Sequence, residues 1–157
     1  MSTKMPKISV KRGDDFRLDI TVQDLNSDDS LTAKANLEAT RTTYDAAIAA
    51  TPQIPSNIAA AQNALTNAQT AYDLAIKVDI SLWTISSSLA WAGKLISTFV
   101  VTKTDPRNGV FSVRLPSTET ALWKPRVYEA DIQFVRPEGR ISSKTFQISV
   151  ERDVANG

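Results

Sequence analysis

The hydrophobic and polar positions of this chain fall into three blocks. Between residues 7 and 24, Phe16, Leu18, Ile20 and Val22 alternate with Arg17, Asp19, Thr21 and Gln23. A period of two over that length predicts a half-buried strand, with a shorter strand before it at Ile8 and Val10. Arg12-Gly13-Asp14-Asp15 interrupts the pattern as a turn. Alternation returns after Val78 with Trp83, Ile85, Ser87, Leu89 and Trp91, and further strands are predicted at 95–101, 110–115, 127–135 and 141–150. Turn residues separate them at Ala92-Gly93-Lys94, at 104–109 and at 136–140. One short helical turn is expected at 117–122, opened by Ser117 and closed by Trp123, Lys124 and Pro125. Seven strands joined by short turns describe a β-sandwich.

The middle block has a different period. From Asn26 to Lys77 the chain is rich in alanine, threonine, asparagine and glutamine and has no glycine. Two helices are predicted, at about 30–50 and 57–77. Asp28, Asp29 and Ser30 can cap the first, Ser56 or Asn57 the second, and 51–57 with Pro52 and Pro55 breaks them apart. Ile58, Ala61, Leu65, Ala68, Tyr72 and Ala75 form a narrow seam in the second helix, and Ala33, Leu37, Thr40, Tyr44 and Ala47 repeat it in the first. Leu37, Thr42, Tyr44, Asp45, Ala47 and Ile48 recur as Leu65, Thr70, Tyr72, Asp73, Ala75 and Ile76, all offset by 28 residues. A short linker makes the two helices an antiparallel hairpin, and alanine in the seam lets their axes approach closely. With the seam used inside the hairpin, contact with another subunit falls to other positions, for which Leu31, Ile48, Leu74 and Ile76 are the candidates.

The β pattern resumes across the helical block as though nothing had intervened. Residues 1–25 and 78–157 are therefore expected to form one sandwich, with 26–77 inserted in a loop between two of its strands, where long insertions cost little.

Composition then narrows the chemistry. Eighteen basic against seventeen acidic residues leave no basic stripe for nucleic acid. No cysteine and no histidine are present, which removes disulfides, thiolate metal sites, the cysteine nucleophile and the commonest general base. No stretch is long and apolar enough for membrane insertion, and the opening Met-Ser-Thr-Lys-Met-Pro-Lys lacks the apolar core of a signal peptide. Asp24, Asp28 and Asp29 match no calcium loop and suit caps and turns instead. Arg12-Gly13-Asp14 spells an integrin-type tripeptide but sits where a turn is needed. No phosphate loop or serine-nucleophile motif occurs, so no catalytic residue, metal or cofactor is expected. Trp83, Trp91, Trp123, Tyr128 and Phe134 are aromatic candidates for sugar stacking, although most alternate as core. Trp123 lies outside the strand pattern and reads as a lid on the sandwich or as an interface anchor.

Several motifs fall in a recognisable order: Lys11-Arg12-Gly13-Asp14-Asp15-Phe16, the strand from Leu18 to Asp24, Val78-Asp79-Ile80-Ser81-Leu82-Trp83, Asn108-Gly109-Val110-Phe111, and Ser117 to Leu122. Tyr128-Glu129-Ala130-Asp131-Ile132-Gln133-Phe134, Glu138-Gly139-Arg140 and Val150-Glu151-Arg152-Asp153-Val154 complete the series. In this order they resemble a family of bacteriophage tail proteins typified by the N-terminal domain of the baseplate upper protein. The resemblance covers about 100 of the 157 residues; the helical block is not part of the common pattern. It implies a mainly β, immunoglobulin-like antiparallel β-sandwich carrying the inserted helical hairpin. It also implies a non-enzymatic virion protein, assembled in the bacterial cytoplasm into a tail, baseplate or fibre attachment site. The expected partners are other tail or baseplate proteins and further copies of the chain, a trimer being favoured. The alternative expectation is a carbohydrate-binding or host-recognition module that uses exposed aromatics near Trp123 and Tyr128.

Overall fold

The structure, a computed structural model, describes residues 7–152. The opening residues considered for a signal peptide, other than Lys7, and the closing Asp153-Val154 of the last motif lie outside the described residues. The fold is mainly β, with two sheets, three α-helices and one short 3-10 turn among the described residues. The chain divides into two compact units, one built from residues up to Thr21 and from Asp79 onward, the other from Val22–Val78.

The first unit holds all eight described strands. In chain order these are β1 (Lys7–Lys11), β2 (Phe16–Thr21), β3 (Thr84–Trp91), β4 (Lys94–Thr98), β5 (Val100–Asp105), β6 (Val110–Leu115), β7 (Val127–Val135) and β8 (Ile141–Glu151). One sheet has the order β1-β8-β7-β3-β4 and the other β2-β6-β5. Every pairing is antiparallel except that of β1 with β8, which runs parallel from Lys7 opposite Gln147 to Lys11 opposite Glu151.

Alternation drives the packing. Along β7, Tyr128, Ala130, Ile132 and Phe134 are buried while Glu129, Asp131 and Gln133 face outward. Phe146, Ile148 and Val150 do the same along β8, and Phe16 with half-buried Leu18 and Ile20 along β2. The two sheets meet through their side chains: the Phe111 ring of β6 lies 5.8 Å from that of Phe134 on β7, at 83°. Edge-to-face rings at this distance add to the apolar burial itself. Two packed antiparallel layers of this kind are the arrangement of a β-sandwich.

The predicted strand at 95–101 is two strands. β4 pairs with β3, whereas β5 pairs with β6 in the opposite sheet, so the chain changes sheets between Thr98 and Val100. Phe99 is the pivot: it is buried, its ring lies 5.4 Å from Phe16, and its N–H donates to the Ser87 carbonyl at 2.9 Å. A side chain turned into the core at the crossing satisfies the hydrophobic pattern of one continuous strand, which is why the break is invisible in the sequence. The turn before β4 places Ala92 and Gly93 at φ of 50° and 78°, a pair of left-handed positions that closes a tight two-residue connection.

The second unit contains helices α1 (Asp28–Ala49) and α2 (Pro55–Ala75). Ser27, one residue earlier than expected, is the N-cap of α1, its hydroxyl accepting from the Ser30 N–H at 3.1 Å; Asp28 and Asp29 occupy the first turn, where carboxylates complement the helix dipole. α2 begins with Pro55 in its first turn rather than with a Ser56 or Asn57 cap, since proline's fixed φ and missing N–H cost nothing there. The predicted seam positions are all half-buried or buried, with Ala61 and Ala68 buried. Ser30 ties the start of α1 to the end of α2. Its buried hydroxyl lies 2.6 Å from the Asp24 carbonyl and 3.0 Å from the Ala75 carbonyl.

Candidate interaction surfaces

Five residues were expected at interfaces, and they do not share a surface. Leu31, Ile48 and Leu74 are exposed, Leu74 at 61%. Ile76 is buried at 7% exposure and Trp123 at 3%, so neither offers an anchor to a partner. Ile76 instead terminates α2, its N–H bonding back to the Tyr72 carbonyl at 3.1 Å while its own carbonyl accepts from Asp24 at 2.9 Å.

Trp123 is the lid rather than the anchor. It follows the single turn α3 (Ser117–Thr120), and its ring centroid is 5.7 Å from that of Tyr128, which is equally buried. The Tyr128 hydroxyl accepts from the Lys124 N–H and donates to the Lys124 carbonyl, both at 2.9 Å. This pins the segment before β7 to the strand. A stacking platform for a sugar needs ring faces open to solvent, and this pair has none to give.

Arg12-Gly13-Asp14 is used up in holding α3. Arg12 Nε donates to the Ala121 carbonyl at 2.8 Å, the Asp14 carbonyl accepts from the Thr120 hydroxyl at 2.6 Å, and the Asp15 carboxylate accepts from the Ser117 N–H at 2.6 Å. Asp24 likewise serves a turn, accepting from the N–H groups of Asn26 and Ser27, and no metal-sized group of acidic side chains occurs among the described residues.

Two further features of the β unit face solvent. Trp91, 43% exposed, lies under the Arg126 guanidinium at 4.0 Å. On the outer face of the five-stranded sheet a depression of about 400 Å³ is lined by Ser86, Ser88, Thr98, Asp131, Gln133 and Ser143, with hydroxyls around one carboxylate. Asp131 Oδ1 already accepts from the Thr145 hydroxyl at 2.6 Å. In the segment leading into β3, Asp79 accepts from the hydroxyl and N–H of Ser81, which lowers its pKa below the ordinary 3.8. Beside it, Lys103 Nζ donates to the carbonyls of Ser81 and Trp83.

The helical pair has two unlike sides. A groove of about 440 Å³ runs between the helices, lined by Thr43, Ala47, Asn57, Ala60, Ala61 and Ala64. Helical phase extends this side along α1 through Asp28, Asp29, Thr32, Asn36, Ala39 and Ala46, and along α2 through Asn67, Ala71 and Leu74; all are exposed, and only the two aspartates of the first turn are charged. On the other side of α1 stand Lys34, Glu38, Arg41 and Asp45, spaced to alternate in sign down one face, with Ile48 continuing the row. Sequence reading found the seam but not this contrast, although it is written in the chain: no charged residue occurs between Asp45 and Asp73.

No family model matches the chain, and no curated protein matches it. Among solved structures, InlP of Listeria monocytogenes aligns over 94% of this chain at 10% identity and a TM-score of 0.40. CopC from Methylosinus trichosporium OB3b aligns over 43% of it at 14% identity and a TM-score of 0.33. The matched region spans 26% of InlP and 62% of CopC. Likeness at this level carries no argument about what the chain does.

Proposed function

We propose that this chain is a structural, non-enzymatic adaptor of a bacteriophage tail, baseplate or fibre attachment site, built as an immunoglobulin-like β-sandwich with an inserted antiparallel helical hairpin. Strand order is what favours an immunoglobulin-like topology over other sandwiches. The arrangement β1-β8-β7-β3-β4 against β2-β6-β5 includes a chain that changes sheets after β4, and a first strand parallel to the last. The tyrosine at the start of β7, bonded through its hydroxyl to backbone four residues upstream, matches the tyrosine corner found in such domains. The tail assignment rests on the ordered motifs that resemble the baseplate upper protein family. In it the sandwich docks to a neighbouring tail or baseplate protein and the hairpin serves assembly, with further copies of this chain among the partners.

The observation that carries an assembly role is the separation of the chain into a unit with a large apolar core and a second unit, Val22–Val78, whose helices bury little beyond an alanine seam. A thin helical element gains most of its stability from what it packs against. Mass spectrometry of purified phage particles from the chain's source tests the tail reading. Peptides of this chain in fixed ratio to tail proteins are expected. Particles that lack the chain while the lysate contains it overturn the reading.

A further inference from the structure

The two outer faces of the β unit differ in chemistry. On the three-stranded sheet Arg17 stands opposite Arg114, with Asp19 beside them. On the five-stranded sheet the outward positions are mostly hydroxyls. Residues directly opposite one another in neighbouring strands share a face, so the register gives that face row by row. Thr98, Ser88, Asp131 and Thr145 form one row across β4, β3, β7 and β8, and Ser86, Gln133 and Ser143 form the next. With strands about 4.8 Å apart and alternate residues about 6.7 Å apart, the two rows make a polar patch of roughly 14 Å by 7 Å. The depression of about 400 Å³ lies over it, since serine leaves room that a longer side chain would fill. Small-molecule sites occupy about 300–1,000 Å³.

Asp131 breaks the local rule for its position. Aspartate is depleted from strands, yet this one sits in the middle of β7, itself an inner strand of the sheet. A choice that opposes local propensity without a gain in packing marks a functional position. Its carboxylate accepts from the Thr145 hydroxyl, and no basic side chain neutralises it, the one ion pair among the described residues being Arg17 with Asp19. Among those residues the hydroxyls of Ser86, Ser88 and Ser143 and the Gln133 amide have no protein partner, so each is free to donate and to accept. Aliphatic side chains flank the polar rows. Beyond Ser86 and Gln133 come Val135 and the exposed Ile141, and beyond Thr98 and Ser88 come the exposed Leu95 and Ala90, followed by Glu129.

These groups select the ligand. An anion would meet an unneutralised carboxylate, and an apolar molecule would leave the hydroxyls and the carboxylate desolvated without partners. A neutral saccharide offers neighbouring hydroxyls that donate together to one carboxylate, oxygen acceptors for the serine O–H groups, and C–H edges for the aliphatic margins. We infer that the outer face of the five-stranded sheet is a binding site for a neutral saccharide. Asp131 accepts from a pair of sugar hydroxyls, and Ser86, Ser88, Gln133 and Ser143 supply the remaining hydrogen bonds. The site lies apart from the buried pair Trp123 and Tyr128, and it goes beyond the adaptor reading without depending on it.

The test is a nuclear magnetic resonance titration of the isotope-labelled full chain. Maltose, cellobiose, lactose and N,N′-diacetylchitobiose are added to about 50 mM, with glucuronate and glucosamine as charged counterparts. At least one neutral disaccharide is expected to move the amide signals of Ser86, Ser88, Asp131, Gln133 and Ser143 saturably, with a Kd on the order of 1–10 mM. Asp131→Asn keeps the size and removes the charge that strengthens these hydrogen bonds, and should weaken binding about tenfold. Ser88→Val fills the floor with a good strand former and should abolish binding, while unchanged signals from β6 show that the fold is intact. Glu129→Gln removes a charge outside the depression and should leave the Kd unchanged. The inference is overturned if no neutral disaccharide moves these signals, or if Asp131→Asn binds as well as wild type. Glucuronate binding as tightly as the neutral sugars also overturns it, as does binding of glucosamine alone, which would make the site one for organic cations.

Discussion

The two compact units stabilise themselves in opposite ways. In the β unit, large side chains are withdrawn from water completely: Ile80, Leu89, Phe111, Val113 and Ile148 all have 0% exposure. In the helical unit the buried side chains among the described residues are Ser30, Ala61, Ala68 and Ile76, three of them small. At about 25 cal/mol per Å² of apolar surface, a phenylalanine contributes several times what an alanine does. The β unit therefore has stability to spare, and the helical unit depends on caps, staples and whatever it packs against.

The largest effect that would sharpen this contrast is expected from Phe111→Ala. Removing that ring leaves Phe134 facing a cavity and should cost about 3–5 kcal/mol in denaturant unfolding of the full chain. If the loss were under 1 kcal/mol, the core would not be where the burial places it. Next comes Tyr128→Phe, which removes both hydrogen bonds to Lys124 while keeping the ring, and should cost about 1–3 kcal/mol. No change in the unfolding midpoint would mean that the segment before β7 is held by Trp123 alone.

Much of the fold was legible because periodicity reports local geometry. The seam from Ala33 to Ala47 and its copy from Ile58 to Ala75 came directly from three-four spacing, and β7 from strict alternation. What escaped depends on contacts distant in sequence. Phe99 directly follows β4 while the backbone changes sheets, and β1 joins β8 across nearly the whole chain, which no local pattern encodes. Trp123, outside every strand, reads in sequence as a lid or as an anchor, and the choice between them is made by its packing on Tyr128, distant from any local pattern. Of the positions outside the seam expected at interfaces, Leu31, Ile48 and Leu74 are exposed and Ile76 is buried as the C-cap of α2.

Smaller perturbations address the helical unit. Ser30→Ala removes the hydroxyl that joins the start of α1 to the end of α2, and should cost about 1–2 kcal/mol. Amide exchange should speed up first in α1 and α2 and leave β7 and β8 protected. Equal acceleration in both units would break the division between them. The smallest effect belongs to Asp79→Asn. The folded pKa of Asp79 is lowered by the hydroxyl and N–H of Ser81, so its carboxylate contributes stability that is present above pH 3.8 and lost as pH falls through the lower folded value. The difference in stability between wild type and variant should therefore vanish in acid; a difference that persists well below that pH would assign the effect to something other than ionisation.

The central claim, that a self-sufficient β unit carries a helical assembly element, is tested most directly by replacing residues 26–77 with a short Gly-Ser loop and measuring thermal unfolding and mass by light scattering. The account predicts a protein that still unfolds cooperatively, with the β signature intact, and that is monomeric where the full chain associates. A variant that fails to fold would contradict it, because the helices would then belong to the core that they were taken to decorate.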